Sequence, residues 1–185
     1  MYAIDVPADI KVVLYSAIDK IGKEKIRIQI NGKIEKSEGY CDEILERCRG
    51  AMNQNIDDET AAALCEALLH FMLTASVLPS QRKVNLRGVE LDIVIPSLKI
   101  LDKHPSKALV IQIIKKGNDL TKIKQAESVQ PHHRNIWVVS ARQLDIKHRN
   151  YCFESRRFPY SRIISDIHAF LVEEGDSGLK LLHGD

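Results

Sequence analysis

The stretch Arg87–Pro96, RGVELDIVIP, constrains the fold most: it reads as a buried strand, yet it carries two carboxylates, Glu90 and Asp92. Alternation at period two sends Val89, Leu91, Ile93 and Ile95 to one face of such a strand and Glu90, Asp92 and Val94 to the other. The run that follows, ALVIQIIKKG, splits in the same way. Val110, Gln112, Ile114 and Lys116 share one face, and Leu109, Ile111, Ile113 and Lys115 the other. If the two strands pair, Asp92 and Gln112 converge. A carboxylate and an amide oxygen side by side are hard oxygen ligands of the kind Mg²⁺ takes.

The rest of the chain supplies elements around these strands. DDETAAALCEALLHFMLTASVLP has Asp57 or Asp58 as a candidate cap, an apolar stripe through Leu64, Leu68, Phe71, Met72 and Ala75, and Pro79 just past its end. Glu59, Glu66 and His70 form a polar line on that helix. Strands are expected at Val84–Arg87, Val89–Ile95, Ala108–Lys115 and Asn135–Ser140, with a further one near Tyr151. Helices are expected over Asn118–Val129 and over Ser161–Glu174, the latter ended by Gly175. The order α-β-β-β-α-β-α gives an α/β fold, a mixed β-sheet flanked by helices, with a right-handed crossover from the third strand to the fourth.

Residues 1–55 read as a small separate α+β unit ahead of a core over 56–185. Ile10, Val13, Leu14, Ala17, Ile18 and Ile21 recur at helical spacing before Gly22. KIRIQINGKIEKS alternates Ile26, Ile28 and Ile30 with polar residues before Asn31-Gly32, which predicts a hairpin with a type I′ turn. YCDEILERC predicts a short helix. Cys41, Cys48, Cys65 and Cys152 show no CxxC spacing and read as reduced thiols, buried or semi-exposed.

Helix, strand, GVELDIVIP, loop, ALVIQIIKK, amphipathic helix and strand together resemble the PD-(D/E)XK nuclease superfamily, the restriction-endonuclease-like fold, over roughly residues 57–140. Gly88, Glu90 and Asp92 match its Gly-x-Glu-apolar-Asp pattern. The resemblance implies that Asp92 is the metal-binding aspartate, that Gln112 stands in the place of the following Glu or Gln, and that Glu66 or Glu59 is the helix carboxylate. It also implies a Mg²⁺-dependent phosphodiesterase acting on DNA or RNA. The motif departs at one point: the lysine two residues after Gln112 is replaced by Ile114, so Lys115 or Lys116 must reach the site from a distorted strand end.

Downstream, ARQLDIKHRNYCFESRRFPYSR places Arg142, Lys147, Arg149, Arg156, Arg157 and Arg162 among Tyr151, Phe153, Phe158 and Tyr160. Cations for phosphates and aromatic faces for unstacked bases are what a nucleic-acid surface needs, and Arg142, Lys147, Arg149, Tyr151, Arg156, Arg157 and Arg162 are its candidate contacts. His132, His133 and Arg134 are candidate phosphate contacts, whereas adjacent histidines alone are a poor zinc signal. A formal net charge of +2 gives no global attraction for nucleic acid, so binding must be local.

The expectation is a cytoplasmic protein, with no membrane segment, that binds nucleic acid through a nuclease-like core, either still Mg²⁺-dependent or catalytically lost. The alternative is a non-catalytic interaction module, a homo-oligomer or a subunit with a protein partner.

Overall fold

The computed structural model describes residues 6–53, 56–154 and 159–181. Four helices come first: α1 (Val6–Ile21), α2 (Lys23–Gly32), α3 (Lys36–Ala51) and α4 (Asp58–Ala75). The strands β1 (Gln81–Leu86) and β2 (Val89–Ile95) follow, then α5 (Leu98–Lys103), β3 (Leu109–Ile114), α6 (Thr121–Val129), β4 (Ile136–Ser140), β5 (Arg149–Cys152) and α7 (Ile163–Leu181).

The five strands lie in chain order in one mixed sheet, β1, β2 and β3 antiparallel and β3, β4 and β5 parallel. The α/β class and the placement of β2 to β5 are as the sequence predicts, to within a few residues, whereas β1 starts at Gln81, three residues ahead of the expected Val84, and Arg87 falls in the turn. Arg87 and Gly88 make the two-residue turn between β1 and β2 with φ of 53° and 84°. Two positive φ values are what a type I′ hairpin requires. Asp57 caps α4, its carboxylate accepting from the Thr60 N–H at 2.7 Å.

The hairpin expected over residues 25–37 does not form. This segment is the helix α2, so the N-terminal unit is helical through α3 rather than α+β. The sequence permits both readings because Ile26, Ile28 and Ile30 follow one another at the two-residue spacing of a strand, while Ile26 and Ile30 stand at the four-residue spacing of a helix. At the helical spacing Ile26 and Ile30 are buried while Ile28 is 66% exposed. Asn31, expected in the turn, donates instead to the carbonyl of Ala75 at 2.9 Å, which ties the end of α2 to the end of α4.

Residues of α1–α4 and α7 share one hydrophobic cluster with Ile93, Ile95, Leu109, Ile111, Ile113 and Val139 of the sheet. On the other side Val94, Val110 and Ile136 pack with Leu101 of α5 and Ala126 and Val129 of α6. The sheet is thus covered on both faces, which is why β3 and β4 read as apolar runs. All four cysteines are buried and unpaired. Helix α5, in what the sequence suggests is a loop, is capped by Ser97, whose hydroxyl accepts from the Ile100 N–H at 3.3 Å. Helix α7 runs through Gly175 instead of ending there. Among the described residues no helix is long and apolar enough to cross a membrane.

Candidate functional site

Asp92 and Gln112 face each other across β2 and β3, as period-two counting requires. The backbone ladder between these strands covers only Ile93–Ile95 against Leu109–Ile111. Beyond it, side chains replace the ladder. Gln112 Oε1 accepts from the Asp92 N–H at 2.8 Å, and its Nε2 donates to the Glu90 carbonyl at 3.2 Å. Asp92 Oδ2 in turn accepts from the Ile113 N–H at 2.8 Å. Two buried polar side chains therefore wedge the strands apart while satisfying the backbone groups they free.

The cations meeting Asp92 are not those the sequence suggests. Lys122 of α6 donates to Asp92 Oδ2 at 2.5 Å and to the Ile113 carbonyl at 3.0 Å. Lys83, directly across β1 from Asp92, lies 2.9 Å from Asp92 Oδ1 and 3.0 Å from Glu66 Oε1. Lys115 reaches Glu66 at 2.6 Å and makes no contact with Asp92, while Lys116 sits at the surface 3.6 Å from Glu59. The helix carboxylate in the cluster is therefore Glu66, and Glu59 stands apart from it. Lys83 has φ of 48°, an uncommon backbone for a residue other than glycine. That conformation is a local signal no sequence pattern displays.

The electrostatics follow from this arrangement. Burial by itself pushes the Asp92 carboxyl up, but Lys122, the Ile113 N–H and Lys83 outweigh it and hold the group below the usual carboxylate range. Burial likewise works against the Glu66 anion, and Lys115 and Lys83 reverse the effect. For Lys83, desolvation opposes the charge while Asp92 and Glu66 favour it, with a net upward shift. Three ammonium groups against two carboxylates leave the cluster one net positive charge.

Oxygen donors suited to Mg²⁺ are present, namely Asp92, Glu66 and the Ile113 carbonyl. They do not fit the ion as they stand. Each Asp92 oxygen already holds an ammonium group, and the Gln112 oxygen expected as a second ligand is turned to the backbone. A cavity of about 450 Å³ opens beside Lys83, Glu90, Asp92, Asp119 and Lys122, so the cluster is reachable from solvent.

The predicted nucleic-acid residues scatter. Lys147 and Arg149 line a second cavity, of about 430 Å³, together with Arg134, His133 and His148. Arg149 also lies over the Trp137 ring, 4.8 Å from its centroid. Arg142 is exposed but joined at 2.9 Å to Asp58, 84 residues earlier in the chain. Arg162 is exposed at the start of α7. Arg156 and Arg157 lie outside the described residues. Tyr151, expected as a stacking face, is fully buried and donates to Asp166 Oδ2 at 2.6 Å, so it is a core residue.

No protein-family model, curated protein or solved structure matches the chain.

Proposed function

We propose that the chain is a nucleic-acid-binding protein built on a nuclease-like core whose Mg²⁺ site has been replaced by a lysine–carboxylate cluster, so that it holds a phosphodiester backbone without cutting it. The observation that carries this reading is the state of Asp92, with Lys83 on one oxygen and Lys122 on the other. The sheet order and the placement of α4 before it and α6 after β3 support the nuclease-like core. The cavity bordered by Arg134, Lys147 and Arg149, with no carboxylate in its lining, supports a surface for anionic backbone.

One observation favours a second reading, in which cleavage survives. The Lys83 side chain is 58% exposed, so it can leave Asp92 for solvent at little cost. Labelled single-stranded and duplex DNA and RNA, titrated with the chain between about 50 and 200 mM salt, separate the cases. Binding that weakens with salt, with a slope of about 0.7 per phosphate for single strands, and no cleavage in Mg²⁺ or Mn²⁺, is the expected result. Cleavage that disappears in Asp92→Asn establishes the second reading. No binding at low salt to any of the four sets both aside in favour of a protein-interaction module.

A further inference from the structure

A cluster outside the Asp92 site brings together Glu127 of α6, His133 in the turn before β4 and His148 just ahead of β5. Each offers one ligand atom, and the three atoms all lie within 4.8 Å of one another. His148 Nε2 is 2.8 Å from Glu127 Oε1, and His133 Nδ1 is 3.8 Å from the same oxygen. The other ring nitrogen of His148, Nδ1, is 3.1 Å from the His133 carbonyl. A neutral imidazole has one N–H and one lone pair. If Nδ1–H donates to the carbonyl, the Nε2 lone pair points at a carboxylate oxygen. An imidazolium donating from both nitrogens satisfies these contacts, as does a neutral ring whose Nε2 shares a cation with Glu127.

We infer that Glu127, His133 and His148 form a site for a divalent transition-metal ion of the Zn²⁺ type, with an open coordination position in the cavity of about 410 Å³ that all three line together with Lys124, Asp145 and Lys147. Two imidazoles and one carboxylate are borderline donors that favour Zn²⁺ over Mg²⁺ or Ca²⁺, and three protein ligands leave a fourth position open. Bonds of about 2.0–2.2 Å at tetrahedral angles put neighbouring ligand atoms about 3.3 Å apart. The two histidine–carboxylate separations, 2.8 and 3.8 Å, straddle that spacing, and the two histidine nitrogens, within 4.8 Å of each other, need to close by up to about 1.5 Å as His133 turns in. The His133 side chain is 66% exposed and free to make the adjustment, whereas that of His148 is 5% exposed and already oriented. The hydrogen bond from His148 to a backbone carbonyl is the outer contact that fixes a metal-binding tautomer. Arg134, Lys147 and Arg149 around the neighbouring cavity oppose a bare divalent ion but favour an anion, such as a phosphate oxygen, as the fourth ligand. The site does not depend on the nucleic-acid reading above.

The test is calorimetric titration of the full chain with Zn²⁺ alone. One equivalent should bind at micromolar concentration and should not be displaced by millimolar Mg²⁺. His133→Ala, at an exposed position that leaves the fold intact, and Glu127→Gln should each weaken binding by at least about tenfold, the low end of what removing an outer contact alone produces. His132→Ala, which removes the adjacent histidine outside the cluster, should leave affinity unchanged. Absence of Zn²⁺ binding, wild-type affinity in both His133→Ala and Glu127→Gln, or an equal loss in His132→Ala would each overturn the assignment.

Discussion

Asp92 tests the cluster most directly, because the structure assigns its two oxygens to different partners. In Asp92→Asn one oxygen becomes an NH₂ group, which accepts nothing. The remaining oxygen can keep the Ile113 N–H and Lys122, leaving Lys83 to turn toward solvent and Glu66. The change therefore removes one charge-assisted hydrogen bond and weakens another, at Lys122, whose side chain is only 30% exposed. Loss of a hydrogen bond to a charged group is worth about 1.5–3 kcal/mol. The full penalty for breaking a wholly buried pair, about 3–5 kcal/mol, is an upper bound here since Lys83 is largely exposed. We expect a destabilisation of about 2–3 kcal/mol and, for a chain of this length, a Tm lower by about 5–10 °C. Lys83→Met is the matched control. It leaves Asp92 with Lys122 and Glu66 with Lys115, two carboxylates and two ammonium groups, and should cost less than about 1 kcal/mol. Thermal and urea unfolding of the three proteins decide it. An Asp92→Asn protein as stable as the parent, or a Lys83→Met protein damaged as badly as Asp92→Asn, would refute the assignment of buried and exposed partners.

Both cluster carboxyls are lowered on folding, so they stabilise the native state above their unfolded value near pH ~4, and this contribution disappears as pH falls through the lower folded values. Tm should therefore hold near neutrality and drop below about pH 4, with a shallower drop in Asp92→Asn; identical pH slopes for the two proteins would count against the linkage. Gln112→Leu keeps the volume but strips the Asp92 N–H of its acceptor, so a loss of about 1–3 kcal/mol in urea unfolding is expected, together with faster hydrogen exchange at that amide. Tyr151→Phe removes the 2.6 Å hydrogen bond to Asp166 and should cost about 1.5–3 kcal/mol, while nucleic-acid affinity at matched salt stays unchanged; reduced affinity in a folded variant would restore Tyr151 as a contact residue.

Local pattern alone determined the strands and the helix α4. Runs such as VELDIVI and ALVIQII have one period and one mode of burial, and Asp57 offers its cap before any tertiary contact exists. The meeting of Asp92 with Gln112 followed from the same counting, as a strand alternates its faces whatever surrounds it. Three things were decided only in the folded chain. Ile26, Ile28 and Ile30 fit a strand and a helix equally, and burial of Ile26 and Ile30 against the other helices selected the helix. The partners of Asp92 come from β1 and α6, because long, flexible lysine side chains answer a buried carboxylate from whichever element lies nearest in space, and spacing along β3 therefore does not reveal them. Glu127, His133 and His148 are likewise spread over 22 residues of sequence with no ligand spacing, and only the parallel alignment of β4 with β5 beside α6 brings them within bonding reach.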